Sequence, residues 1–468
     1  TIAGGEDLRC RGVSTDTRQP VAETCFVALS GPRHDAHDHL SAARDGGAVL
    51  GLISRPEAAP ADLPCIVVPE VRRALGRLAA AWRTALGRPV VAITGSVGKT
   101  TTKELVRALL ETGGPVAAAP SSWNNDIGLP LTLLSATPEH RAIVAEIGTG
   151  APGEILALSR LARPDLSIIT AVGRAHLAAF GSVAAIAREK ASIVDPMAPG
   201  DPVVANRDAP HLPELLAGRP GLRWYGRHPE ADVRLTGSGR DSGGHWFEVD
   251  AGEGPVRHRT PLPGDHNALN ACGALAAAAA MADRGVAFDP GRAGEGLAAT
   301  RLPGMRMHVR ELGGVEVHDD SWNASPESMV AALRTFDEAT RAAAAAGGRR
   351  VVVLGDMLEL GPDAPRLHAE LGAVLAAVDL AMPLAAIVLV GEHAAACGDA
   401  VGGDRSRIVR VPRLDEAGRA AVLAAIRPGD RVLLKASRGI GLDRVAGWLA
   451  ERAAESAGTD VPAATNGP

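Results

Sequence analysis

At 468 residues, with 46% hydrophobic and 22% charged side chains, the chain is too long for one core and reads as two or three globular domains. A net charge of −5, aromatics at 3% and a single tyrosine exclude a general nucleic-acid binder and a membrane-surface protein. The 5 cysteines are scattered and never in C-x-x-C spacing, so they are expected to be reduced core thiols without a zinc site or a disulfide frame. No signal peptide and no uncharged apolar run of about 18 residues is read, which predicts a soluble, cytoplasmic protein. The first residue is Thr1, and a trimmed N-terminus is expected.

Residues 1–86 mix short apolar runs (Cys25 to Leu29, Cys65 to Val68) with polar turns such as "GPRHDAHDHL", which predicts a small α/β domain. A second block, 87–301, opens on "PVVAIT" and continues through "AIVAEIG" and "DLSIITAVG", with helical stretches between. Strands alternating with helices imply a mostly parallel sheet covered on both faces, with ligands at the C-terminal strand ends. Residues 231–264 are turn-rich and weakly alternating, an expected antiparallel meander, and 266–282 are an alanine-rich helix. The third block, 302–453, carries four apolar runs ending in polar or glycine loops, a doubly wound Rossmann-like unit without the G-x-G-x-x-G fingerprint. The tail 454–468 is poor in bulky residues and is expected to be disordered.

The chemistry begins at "VAITGSVGKTTT". A strand that breaks into Gly95, Ser96 and Gly98 and then opens a helix points bare backbone N–H groups and the positive end of the helix dipole at one spot. Lys99 adds a point charge, and the hydroxyls of Thr100 and Thr101 follow, Thr100 being suited to a Mg²⁺ shell. This is a phosphate cradle, shorter than the common form because Ile93 stands where its first glycine belongs. Glu146 closes an apolar run at the same edge and can complete the Mg²⁺ sphere, or be a solvated strand end. His176 is a ligand or a structural hydrogen-bonder, and Lys190 next to Glu189 has the form of an exposed ion pair. Asp319, Asp320 and Asn323 follow a strand and fit a nucleotide contact or a domain edge equally. Lys435, Ser437 and Arg438 at another strand end can receive a carboxylate. Arg301, His266, Asn267 and Asn270 lie near domain junctions, where ligands lodge.

These stretches, with "SSWNNDIGLPLTLL", "AVGRAHLAAFGS", "EKASIV", "GDHNALNACGALAAA", "HDDSWNASPESMVAAL", "VVLGDMLELG" and "LLKASRG", follow the order seen in Mur ligases. The chain resembles that family from about Ser14 to about Val445, most of all the type that adds D-alanyl-D-alanine to a UDP-N-acetylmuramoyl-tripeptide in peptidoglycan synthesis. The short phosphate loop is the family's form. The resemblance implies a first domain that binds the UDP-sugar, a central ATP-binding domain and a third domain that closes on the nucleotide and brings the amine. It implies ATP and two Mg²⁺ ions as cofactors and small-molecule substrates as partners; charge and composition predict no nucleic acid or membrane partner, and no motif demands more than a monomer. Lys99, Glu146, His176 and Lys190 are then catalytic, and Thr100, Glu146, His176 and Lys190 as a carbamate hold metal. Asn267, Asn270, Arg301 and Asp320 meet the nucleotide. Thr15, Asp16, Thr17, Arg18, Asp35, His37, Asn124, Asn125, Asn323, Lys435, Ser437 and Arg438 meet substrates. The implied chemistry is attack of a carboxylate on the γ-phosphate of ATP, then displacement of phosphate from the acyl phosphate by an amine.

Five positions depart from the family pattern: Ala36 and Ala436 replace glycine, Trp322 tyrosine, Ser325 asparagine, and Ala178 an acid. Two further readings stay open for that reason: a paralogue that ligates other substrates, and a nucleotide-binding protein without ligation. A simple kinase is a third; it would leave a stable phosphoester instead of an acyl phosphate.

Overall fold

A computed structural model describes residues 8–32 and 34–457 and arranges them in three sheet-centred units. In the first, strands Gly12–Ser14, Thr24–Val27, Leu50–Ile53 and Cys65–Val67 lie side by side and all parallel. Side chains alternate across the sheet: Phe26 and Ala28 join one apolar cluster with Leu40, while Cys25 and Val27 join another with Val71 and Leu75. The helix Val71–Leu86 then crosses to the second unit, where Trp82 Nε1 donates to the Ala136 carbonyl at 2.9 Å and Arg83 pairs with Asp165 at 2.7 Å.

The second unit is a nine-stranded sheet. Its parallel core runs Val116–Ala118, Ala142–Glu146, Val90–Thr94, Leu166–Ile169, Val203–Asn206, Leu222–Gly226 in space. Val233–Asp241 joins this core in parallel, and Gly244–Asp250 and Pro255–Thr260 complete it as the expected antiparallel meander. Both faces are covered: Val90 and Ala92 belong to one cluster, Val91 and Ile93 to another that contains Ala271 and Ala277 of the helix Asp265–Ala282. The chain leaves Val90–Thr94 toward one edge and later places Leu166–Ile169 on its other side. That reversal opens a crevice at the C-terminal ends of these strands.

The third unit orders its strands His308–Leu312, Val315–Asp319, Arg431–Lys435, Arg350–Gly355, Ala386–Val390, Ile408–Val411, parallel except for the first hairpin. Val351 and Val353 face one cluster and Val352 and Leu354 the other, as a doubly wound sheet requires. The second cluster is shared: it contains Ile155 and Ile186 of the middle unit as well as Met329 and Leu360 of the third, so the two units meet through a common apolar contact.

Two sequence expectations change. Cys10 is exposed, while Cys25, Cys65, Cys272 and Cys397 are buried free thiols. The last helix, Arg444–Ala457, runs four residues into the stretch expected to be disordered, because Val445, Trp448 and Leu449 anchor it on the third sheet; residues 458–468 lie outside the described residues. No helix of the described residues is long and apolar enough to cross a membrane.

The helix Pro326–Ala345 carries the cleft-facing end of the third unit, and its middle is held by a buried ion pair, Arg350 Nη1 to Asp337 at 2.6 Å. Removing Arg350 takes away the buried partner of Asp337, leaving it only the exposed Arg341, and strips the Met382 carbonyl of its donor. Arg350→Ala is therefore expected to cost about 3 kcal/mol, read as a lower urea midpoint for the transition that reports the third unit.

Candidate active site

The strand Val90–Thr94 ends at the glycine loop, and the helix Lys99–Glu111 opens with Gly98 as its N-cap at φ +86°. A Cβ added at Gly98 would stand 2.5 Å from Asn270 Oδ1, and one at Gly95 (φ +148°) 2.0 Å from Thr170 Oγ1. Only glycine lets this loop lie so close to both neighbours. Ser96 fastens it to the next strand's loop: its N–H donates to the Ala171 carbonyl at 2.7 Å, and its hydroxyl accepts from the Gly173 N–H at 3.0 Å. Lys99 Nζ bends back onto the carbonyls of Gly95 (2.8 Å) and Ser96 (3.4 Å), and burial lowers its pKa. A cation resting on loop carbonyls is poised to exchange them for an anion.

Behind the loop, Thr100 Oγ1 donates to Glu146 Oε2 at 2.7 Å, and Asn124 Nδ2 donates to Glu146 Oε1 at 2.7 Å. Thr100 also meets Ser122 Oγ at 3.1 Å, which in turn accepts from Arg306 Nη2 at 2.8 Å. Thr101 is buried in the same turn of the helix. No spacing in the sequence marks Arg306. Its backbone does: the flanking Met305 and Met307 both adopt left-handed φ, +62° and +50°, which turns the Arg306 side chain inward from the linker between the second and third units.

The donor set suits a Mg·nucleotide. Thr100 and Glu146 offer a hydroxyl and a carboxylate, and Mg²⁺ prefers one or two such oxygens shared with phosphates and water. Among the described residues no three His, Cys, Asp or Glu side chains gather into a cage of their own. The glycine loop, from Ser96 to Lys99, lines the same cleft.

His176, in left-handed conformation (φ +60°), pairs through Nδ1 with Glu359 of the third unit, and burial lowers its pKa. Lys190 and Glu189 are not the exposed ion pair that their adjacency predicts. Both are buried. Glu189 caps the helix Glu154–Ala162 instead, accepting from the N–H of Gly153 (2.8 Å) and of Ile155 (2.9 Å). Lys190 carries no hydrogen bond or ion pair among the described residues, and burial pushes its pKa down to about 7.

In the third unit Asp319 holds the domain edge, accepting from Ser321 and pairing with Arg310 at 2.6 Å. Asp320 pairs with Lys435 at 2.6 Å and accepts from the Met307 N–H at 3.2 Å. The anion-receiving cluster expected at 435–438 is thus reduced. Lys435 is buried and committed to Asp320 and to the Asn323 carbonyl (3.1 Å), and Ser437 is committed to the Leu358 N–H at 2.9 Å. Arg438 alone stays half exposed, beside Asp443 at 3.1 Å. Asn125 caps the helix Gly128–Leu134 by accepting from the Gly128 N–H at 2.8 Å, and Asn267 donates to the Pro263 carbonyl at 2.7 Å. Arg301 donates to the carbonyls of Ala298 and Thr300, both at 2.9 Å, on the cleft wall.

The cleft measures about 840 Å³, and its walls bring together Ser96, Lys99, Thr100, Glu146 and His176 of the second unit with Asp320 and Asn323 of the third. Asn124, Asn125, His266, Asn267, Asn270 and Arg301 line it too. Thr15, Asp16, Thr17, Arg18, Asp35 and His37 do not; they sit on the first unit. There Asp16 and Arg18 form a pair at 2.8 Å, and buried His37 bridges Asp35 (2.6 Å) and the Ser54 N–H (2.9 Å). The departures lose weight here. Neither Ala36 nor Ala436 has positive φ, the Ala436 methyl packs on Gly355, and Ser325 caps the helix Pro326–Ala345 in a capping box with Ser328.

Across the cleft the units are pinned by charge as well as by packing. Arg174 Nε reaches Glu327 at 3.0 Å and its Nη1 reaches Glu370 at 2.7 Å. Beside it the Ala178 N–H donates to the Glu359 carbonyl at 3.0 Å, and the Ala178 methyl lies 3.1 Å from where a Cβ on Gly361 would stand.

The family model of the Mur ligase middle domain matches residues 93–278, and that of the Mur ligase glutamate ligase domain matches 305–438. A UDP-N-acetylmuramoyl-tripeptide–D-alanyl-D-alanine ligase of Escherichia coli (strain K12) is 34% identical over 96% of this chain and 95% of its own. A crystal structure of MurF from Acinetobacter baumannii is similar at TM-score 0.80 and 29% identity, covering 94% of this chain and 93% of that one. The MurF ligase of Thermotoga maritima in complex with ADP is similar at TM-score 0.77 and 26% identity, covering 97% of this chain and 100% of that one. Three α/β units around a phosphate loop, with these relatives, make the protein an ATP-dependent, ADP-forming ligase. It belongs to the Mur ligase family.

Gly98→Ala would force a side chain into left-handed backbone and against Asn270. Strain of this kind is on the order of 1–3 kcal/mol, so ADP affinity measured by calorimetry is expected to fall about fivefold or more while the far-UV circular dichroism is retained.

Proposed function

We propose that the protein joins the amine of D-alanyl-D-alanine to the free carboxylate of a UDP-N-acetylmuramoyl-tripeptide, as a cytoplasmic monomer in peptidoglycan precursor synthesis. The observation that carries this reading is the meeting of Lys99, Thr100, Glu146 and His176 in one cleft whose other wall is supplied by the third unit. The name of the Escherichia coli relative supports the choice of substrates. The substrate carboxylate takes the γ-phosphoryl group of ATP, and the amine then displaces phosphate from the acyl phosphate.

Each residue has a task in that sequence. Lys99 leaves the carbonyls of Gly95 and Ser96 to meet the phosphates, and Arg306 adds a second fixed cation from the linker. Asn124 holds one oxygen of Glu146 and so aims the other at Thr100. Thr100, Glu146, His176 and Lys190 as its carbamate would hold two Mg²⁺ ions, which when bound neutralise charge on the transferred phosphoryl group. Asn267, Asn270, Arg301 and Asp320 face the nucleotide; the Asp16–Arg18 pair with Thr15, Thr17, Asp35 and His37 face the UDP-sugar; and Asn125, Asn323 and the 435–438 turn face the peptide substrates. The hydrophobic and ionic contacts of the third unit with the second keep water from the acyl phosphate.

Lys190 is suited to carbamylation because it is buried, unpaired and has a pKa of about 7. Its neutral amine adds to the carbon of CO₂ and releases one proton, turning a buried neutral amine into an anion. Since burial lowers the pKa, the amine is mostly neutral above pH 7 and mostly protonated below it. A carbamate resonance from ¹³C-bicarbonate is therefore expected at pH 8, fading toward pH 6 and absent from Lys190→Ala. Short carboxylates are expected to restore part of the activity of Lys190→Ala; no rescue under any condition would count against the carbamate.

Trp322, on the cleft wall where the family motif carries tyrosine, favours one second reading, the same ligation with a different amine. One assay separates the two. Phosphate release with ATP, Mg²⁺, UDP-N-acetylmuramoyl-tripeptide and D-alanyl-D-alanine is expected to require all four, with a product mass equal to both substrates less one water. Hydroxylamine should trap the acyl phosphate. Release with another amine and none with D-alanyl-D-alanine would overturn the first reading.

A further inference from the structure

Trp322 gathers two arginines that come from distant parts of the chain. The Arg306 guanidinium carbon lies 5.6 Å from the indole centroid and that of Arg438 lies 5.3 Å from it. The Trp322 N–H donates to the Met305 carbonyl at 3.2 Å, and Arg438 Nη1 touches the Met305 sulfur at 3.4 Å, so indole, linker and strand-end turn form one packed group. Arg306 is half-buried and spends its Nη2 on Ser122 at 2.8 Å, on the phosphate side. Arg438 is half exposed, and its two protein contacts, to Asp443 and Met305, both run from Nη1. Its Nη2 and Nε have no protein partner among the described residues, a fork suited to a carboxylate. Lys435, on the same strand end, is already committed to Asp320. Arg438, beside Asp443, is thus the cation of that turn with donors to spare for an anionic ligand.

We propose that Trp322, on the cleft wall, is a positioning residue that holds the Arg438 fork beside it to receive the carboxylate of the incoming amine substrate. This rests on the function proposed above, and adds to it the group that selects a free C-terminal carboxylate. The indole suits the task better than a smaller ring, because a guanidinium is attracted most strongly to the face of tryptophan. The same ring meets Arg306, so one side chain spaces the cation of the amine subsite from the cation of the phosphate subsite.

The test compares kcat/KM for D-alanyl-D-alanine with that for its C-terminal amide, in the full-length wild type and in Trp322→Phe, Trp322→Leu and Arg438→Gln. The ratio of the two substrates is independent of the fraction of active enzyme, so partial misfolding does not imitate the effect. The wild type is expected to prefer the carboxylate. Trp322→Leu should lose about tenfold of that preference, mostly through KM for the dipeptide, and Arg438→Gln at least as much. Trp322→Phe should keep the ratio within about threefold. Combining Trp322→Leu with Arg438→Gln should add little, since both act on one contact. A Trp322→Leu variant that discriminates as the wild type does, or a wild type indifferent to the carboxylate, overturns the proposal while leaving the ligase reading intact. No turnover of either substrate by the wild type removes that reading and this inference with it.

Discussion

A hydroxyl donating to a carboxylate across 2.7 Å, Thr100 to Glu146, is the contact on which the rest of the cleft depends. It joins the first turn of the helix after the phosphate loop to the end of the neighbouring strand, the two elements that a parallel sheet brings side by side at a reversal of strand order. Everything nearby is arranged around it. Asn124 takes the second carboxylate oxygen, Ser122 touches the threonine, and Arg306 reaches Ser122 from the linker. Buried polar groups are costly unless partnered, and this chain of partners accounts for each of them. The loop glycines belong to the same constraint, because the helix can start this close to Asn270 and Thr170 only if no Cβ intervenes.

The second and third units meet through two kinds of force. The shared apolar cluster supplies non-directional adhesion, and Arg174 and His176 fix orientation by reaching three carboxylates, Glu327, Glu370 and Glu359. Ala178 is instructive in this setting. A larger acidic side chain would crowd Gly361, whereas the methyl group allows the backbones to approach and the Ala178 N–H to bond the Glu359 carbonyl. A position that departs from its family's pattern is thus matched to a contact between domains.

The fold was legible where the signal was long: the apolar runs at 90–93 and 142–148 and the one opening "VVLGDMLELG" hold the fully buried strands Val90–Thr94, Ala142–Glu146 and Arg350–Gly355. Strands such as Val116–Ala118 and His308–Leu312 were missed, the first for its length and the second because its side chains are mostly exposed. The phosphate loop was legible because strand, glycines, lysine and threonine are contiguous. Lys190 was not: adjacency to Glu189 suggested an exposed pair, and only the fold reveals that Glu189 caps another helix and leaves the lysine buried and alone. Arg306 and Glu359 carry no local signal either, since each matters only through a partner far away in sequence. Nor could the spacing of Lys435 show that, at the cleft, the fold pairs it with Asp320.

The fork of Arg174 on Glu327 and Glu370 has side chains roughly one-third to one-half exposed, so mobile ions reach it. Its attraction is screened as ionic strength rises, with a Debye length of about 8 Å in physiological medium. The apolar cluster beneath it responds in the opposite sense to strongly hydrated salts such as sulfate, which favour burial. The orientation of the third unit and its adhesion therefore answer to different properties of the solvent. A medium rich in weakly hydrated ions loosens the angle of approach without separating the units, and the protein's sensitivity to salt becomes a sensitivity of geometry more than of stability.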